Sequence, residues 1–159
     1  MKKILLFIFL LLSFTLNAQL KLKDLLLIYK SDIEAADIHL LKKGFEIFKT
    51  EPSEYGNGTN YFYALNRTSN NNRADGFLAK RGAAVNSSIW YQIHDKNNYE
   101  NIKSELKILG YKRFNNPRDL EYVKEFGGLR FSYTNGKIEI KTSSGLTEDN
   151  RNEYTISIY

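Results

Sequence analysis

Leu40-Leu41-Lys42-Lys43-Gly44-Phe45-Glu46-Ile47-Phe48 returns, in degraded form, as Leu106-Lys107-Ile108-Leu109-Gly110-Tyr111-Lys112-Arg113-Phe114. In both copies an amphipathic run ends at a glycine and continues as an aromatic-rich strand, the pattern of a helix handing over to a sheet. Aligning Gly44 with Gly110 also pairs Glu34 with Glu100, Leu40 with Leu106 and Phe48 with Phe114. One residue further on, the alternating Ile89-x-Tyr91-x-Ile93 matches Tyr154-x-Ile156-x-Ile158. The reading is an α+β chain of two tandem helix-plus-antiparallel-strand repeats, about 31–94 and 97–159. They are expected to form one antiparallel sheet with the helices packed on one face.

Composition limits the alternatives. The 159 residues are 42% hydrophobic and 26% charged, with two prolines, which describes an ordinary globular domain. Two units of this size would each be marginal alone, so a single domain over 19–159 with a shared core is expected. Residues 1–18 have the layout of a signal peptide: Lys2-Lys3, an apolar run from Ile4 to Leu12, and a small residue, Ala18, before Gln19. Cleavage after Ala18 would leave 21 basic against 18 acidic residues, or +3. Those charges are dispersed, with no basic run beyond pairs, so nucleic acid is not an expected partner. The chain has no cysteine, hence no disulfide and no lipidated cysteine at the cleavage point. A soluble secreted or periplasmic protein without a stable membrane anchor is expected.

Residues 20–29 are apolar enough to pack, and a short helix from Asp24 is preferred over a strand. Ser31-Asp32-Ile33-Glu34 reads as a capping box for a helix whose stripe is Ile33, Ala36, Leu40 and Leu41, closed by Gly44. Strands are expected over Phe45–Thr50, Asn60–Leu65, Gly76–Arg81 and Ser87–His94, with an asparagine-rich loop over Asn66–Asp75. A second helix from Asn97 or Asn98 carries Tyr99, Ile102, Leu106 and Leu109 towards Gly110. Tyr111–Phe114 repeats the exit strand, and Asn115–Glu125 reads as a mixed connection with a helical turn. Leu129-x-Phe131-x-Tyr133, then Asn135-Gly136, then Ile138-x-Ile140 predicts a hairpin with a two-residue turn. Tyr154–Ile158 closes the sheet. The polar alternates Arg130, Ser132, Lys141, Thr155 and Ser157 place one sheet face in water.

Parity then singles out a candidate surface. If Ile89, Tyr91 and Ile93 face the core, Trp90, Gln92 and His94 lie on the outer face, where the second repeat carries small polar residues. Tyr61, Phe62 and Tyr63 cannot all share one face, so some aromatic surface is left over. Exposed aromatics on an open sheet suit a recognition surface. The alternative is a shifted register, or a covering asparagine-rich loop, that makes Trp90 part of the core. The candidate binding residues are Trp90, Tyr61, Phe62, Tyr63, Gln92 and His94.

Catalytic motifs are weak. Ser104-x-x-Lys107, Tyr133-x-Asn135 and Lys141-Thr142-Ser143 follow the order of the serine acyl-enzymes that act on cell-wall peptides, but Ser104 lies mid-helix and the set is compressed into 40 residues. His39 and His94 lack any metal-ligand spacing, and Glu148-Asp149-Asn150 lacks the glycine and alternation of a calcium loop. Sequons start at Asn57, Asn66 and Asn86, which is about the number that chance gives so asparagine-rich a chain. No cofactor or metal site and no catalytic residue is expected. The two-copy layout in a small exported chain resembles the β-lactamase inhibitor proteins, in topology alone. That resemblance implies an open sheet face able to bind a protein or other envelope macromolecule. The functional expectation is a non-catalytic binding module, and the alternative is a small hydrolase-like envelope enzyme whose site a single sequence does not reveal.

Overall fold

The computed structural model describes residues 19–53, 58–68, 73–82, 87–147 and 150–159. The signal-peptide reading, the sequons at Asn57 and Asn86, and Glu148-Asp149 lie outside them. In chain order the elements are α1 (Leu22–Lys30), α2 (Ile33–Lys42), β1 (Phe45–Pro52), β2 (Thr59–Leu65), β3 (Gly76–Gly82) and β4 (Ser88–Ile93). They continue with α3 (Lys96–Ile108), β5 (Lys112–Phe114), α4 (Pro117–Phe126), β6 (Leu129–Thr134), β7 (Glu139–Leu146) and β8 (Asn152–Ile158). The fold is α+β, with these four helices and one eight-stranded antiparallel sheet.

The sheet order is β1-β2-β3-β4-β8-β7-β6-β5. Two four-strand meanders therefore join through their last strands. Across that seam Ile89 faces Ile158, Tyr91 faces Ile156 and Ile93 faces Tyr154. All six are buried, because residues directly opposite in an antiparallel pair share a face. Leu22, Leu25 and Ile28 of α1, Ala36 and Leu40 of α2, and Tyr99, Ile102 and Leu106 of α3 close over this seam to make one core.

Short-range chemistry explains the entries and exits of the helices. Asp24 is nearly buried and accepts from the Lys21 backbone N–H at 3.0 Å, capping α1. It also meets His39 Nε2 at 3.1 Å and Lys43 Nζ at 3.5 Å, which ties α1 to α2. Glu105 of α3 accepts from the Leu22 N–H at 2.9 Å and ties α3 to α1. Gly44 and Gly110 have φ of +81° and +77°, the left-handed conformation that turns each helix into its strand.

Several expectations are corrected. The cap of α2 is Asp32, which accepts from Ala35 N–H at 2.8 Å. Ser31 instead donates to the Leu27 carbonyl and finishes α1, because the two helices are separated by two residues and Ser31 serves the earlier one. Leu41 and Leu109 are exposed, since each helix tightens into its glycine turn and rolls its last apolar residue away from the sheet. The Asn135 hairpin is a four-residue connection: its side chain accepts from the N–H groups of Lys137 and Ile138, and only Gly136 has positive φ. A two-residue turn of the expected type needs positive φ at both positions.

The largest correction concerns α4. Pro117 at the start and Asn116 as its cap, accepting from Arg118 N–H at 3.1 Å, build a ten-residue helix where a single turn was expected. It lies on the face opposite the other three helices. Asp119 accepts from Ser132 Oγ at 3.0 Å, and Asn116 Nδ2 donates to Ser132 Oγ and Glu139 Oε1, both at 3.3 Å. Ser132 and Glu139 point away from their core-facing neighbours Tyr133 and Ile140. The polar alternates are consequently not all in water: Ser132 is fully buried, and Thr155 and Ser157 nearly so.

Candidate binding face

Over the first meander the outer face has no helix above it among the described residues. A continuous cross-strand row runs Lys49, Phe62, Ala79, Trp90, Ser157, Lys141. Trp90 stands between alanine and serine, so small neighbours leave a depression on either side of its ring. The β-bulge in β1 between Ile47 and Lys49 brings Phe48 round to this face, where its ring meets Phe62 at 6.3 Å and Phe77 at 5.9 Å.

Most groups on this face already have partners. Arg67 lies 4.7 Å over the Phe48 ring, Lys49 5.4 Å over Phe62, and Lys141 4.8 Å over Tyr159. Lys49 pairs with Glu51, and Lys141 with Glu139 at 3.2 Å. Gln92 Nε2 donates to Glu153 Oε2 at 3.1 Å. Two groups differ. Trp90, 37% exposed, has no ring or cation against it among the described residues. Arg81 has a buried Nε with no hydrogen-bond acceptor, and no ion pair among the described residues. Arg81 faces Ser88 on β4, two residues from Trp90, so the two side chains are diagonal neighbours. They share a groove of about 330 Å³ with Asn60, Phe62, Ser88 and Tyr159.

The other candidates fall elsewhere. Phe62 and Gln92 stand on the outer face with Trp90, whereas Tyr61 and Tyr63 point to the core, because Tyr61 faces Lys80 and Tyr63 faces Leu78. Tyr63 is fully buried and its phenol is pushed up to about 12, first by desolvation and then by the charge of Asp37. His94 lies past the end of β4, its Nδ1 2.8 Å from the Asn152 carbonyl oxygen. It borders a separate hollow of about 970 Å³, with Gln19, Asn66, Asp75, Asp95 and Asn98. The carboxylates there are occupied: Asp75 accepts from Asn66 at 2.7 Å, and Asp95 caps α3 through Asn97 and Asn98 N–H and accepts from Gln19. Among the described residues no three metal-ligating side chains come together.

Arg81, Asn60, Ser88 and Tyr159 escaped the sequence reading. The obstacle was Lys80. It is 1% exposed on the core face, donating from Nζ to the Ile28 carbonyl at 2.8 Å, where it caps α1. A lysine at that position hides the alternation Gly76-x-Leu78-x-Lys80 against Phe77-x-Ala79-x-Arg81, which otherwise assigns Arg81 to the face of Trp90. Compared with known proteins, the chain matches no family model, and neither a curated protein nor a solved structure is significantly similar to it.

Proposed function

We propose that the protein is an exported, non-catalytic binding module that captures an envelope macromolecule on the outer face of its first meander. The observation that carries this reading is Trp90, a large ring held in a groove and, among the described residues, without a ring or cation partner, while Phe48, Phe62 and Tyr159 are each engaged. A solvated tryptophan costs apolar exposure that a binding partner would recover, and tryptophan is enriched among residues that dominate binding energy. The covering of the second meander by α4 supports the same reading, since it concentrates the open surface on one side. Export rests on the layout of residues 1–18. N-terminal sequencing of the chain recovered outside the cytoplasm tests it: a start at Gln19 is expected, and a start at Met1 removes it.

We also infer that the two meanders descend from one duplicated unit. The support is the shared left-handed glycine after α2 and after α3, and the antiparallel pairing of the matched strands β4 and β8. The rival enzyme reading, a hydrolase working at the hollow beside His94, has less behind it because Asp75 and Asp95 serve structural hydrogen bonds. The binding reading is tested with Trp90 as its own probe. Emission should be red-shifted and readily quenched in the free protein, and should change when envelope material is added. A blue-shifted, protected signal in the free protein would remove the surface from consideration.

A further inference from the structure

Resting on that reading of the groove, we propose that its ligand is a carboxylate-bearing sugar unit of an anionic glycan, with the ring stacked on Trp90 and the carboxylate held by Arg81. Trp90 and Arg81, which lack a ring, cation or ion-pair partner among the described residues, are the two side chains this ligand would use. Arg81 borders the groove, has no ion pair among the described residues, and keeps its Nε buried without an acceptor among them, which leaves the outer Nη groups of the guanidinium for a ligand. A guanidinium offering an N–H from each of its two Nη atoms meets the two oxygens of a carboxylate end-on in a planar, bidentate pair. The indole offers a flat apolar face and an N–H at its edge, suited to the C–H face of a pyranose ring flanked by hydroxyls. Asn60 and Ser88 border the same groove and can take up those hydroxyls, and about 330 Å³ is room for one or two sugar rings.

Position in the sheet argues against an extended peptide. Trp90 and Arg81 lie on β4 and β3, interior strands whose backbone groups are already paired on both sides. A peptide that gains affinity by strand addition needs an open edge. Charge argues against nucleic acid. Lys49 and Lys141 are neutralised by Glu51 and Glu139, which leaves Arg81 as the cation of the groove without an ion pair among the described residues, where a phosphate chain would need a track of cations. A single arginine beside a stacking ring fits one carboxylate per recognised unit.

The test is a panel of uronic-acid oligosaccharides, each printed in its free-acid form and as its methyl ester, probed with the wild-type protein, with Trp90 emission as the readout in solution. At least one free acid should bind and perturb Trp90, with its ester weaker by about 10-fold or more, the loss of a charge-assisted hydrogen-bonded pair. Arg81→Gln should erase the difference between acid and ester. Arg81→Lys should recover it only in part, because a point charge replaces the fork. Equal binding of acid and ester overturns the proposed role of Arg81, while a Trp90 response to both keeps the binding surface. Binding of an acidic peptide in preference to every glycan overturns the sugar and likewise keeps the surface. If no panel member perturbs Trp90 at millimolar concentration, the glycan is excluded. If Trp90→Ala also leaves capture of envelope material unchanged, the surface reading goes with it.

Discussion

Neighbouring residues in β4 have opposite tasks. Tyr91 is sealed into the core and Trp90 stands in the groove. Tyr91→Ala should cost about 3–5 kcal/mol in denaturant unfolding, as large-to-small changes in a core do. Trp90→Ala should stay within about 1 kcal/mol. A large loss for Trp90→Ala would mean that its ring packs rather than binds. The buried phenols also set an alkaline limit. Tyr63 and Tyr99 are both pushed up to about 12, chiefly by burial, and Tyr91 is raised further for the same reason. Their unfolded values lie near 10.0, so between about 10 and 12 the folded state holds protons that the unfolded state has lost. Stability should therefore fall as pH rises through that window, on the order of 2 kcal/mol per tyrosine. Lys80 acts in the opposite sense: burial lowers its pKa from 10.5, so below that pH its contribution improves as pH rises. Urea titrations at pH 9 and 11, with Tyr63→Phe blunting the drop, check the balance.

The glycine exits of α2 and α3 folded as read, whereas the Ser31 cap and the Asn135-Gly136 turn did not. Gly44 and Gly110 ended their helices as expected, because positive φ is a property of the local chain and glycine advertises it. Gly44→Ala and Gly110→Ala should each cost about 1–2 kcal/mol from backbone strain alone, since an added methyl would meet only Leu65 Cδ1 at 3.5 Å in the first case and nothing within 4 Å in the second. α4 was legible only as a turn because it buries no residue of its own. Its Leu120 and Phe126 face solvent, and its hold on the sheet is polar, through Asn116, Asp119 and the stacking of Arg130 over Tyr122 at 4.2 Å. Leu120, Val123 and Phe126 do recur at helical spacing, but the charged residues between them and the absence of a buried stripe make the segment read as a connection. α4 amides should exchange with deuterium well before those of β4 and β8, whose residues pack in the core. The candidate face was half legible for a similar reason: parity located Trp90, Phe62 and Gln92, while the buried Lys80 concealed Arg81.

At the scale of the molecule, the seam between β4 and β8 makes one cooperative unit out of two meanders. Trp90 emission, which reports the first meander, and far-UV circular dichroism, which reports the whole, should give coincident denaturation curves. Separate transitions would mean that the halves fold independently. The proposed duplication adds a sharper expectation. A fragment of residues 19–94 should pair β4 with its own copy in place of β8 and sediment as a dimer, because the matched strand offers an equivalent apolar row. A soluble folded monomer would contradict that equivalence.

The same seam fixes the order of events during synthesis. The last strand of the chain, Asn152–Ile158, fills the middle of the sheet. A nascent polypeptide leaving the ribosome N-terminus first can assemble neither the central ladder nor the shared core until Asn152–Ile158 has emerged. Termination ahead of Asn152 therefore removes the keystone rather than an edge. For an exported chain, as proposed here, a central strand made this late delays closure of the sheet and suits passage across a membrane ahead of folding.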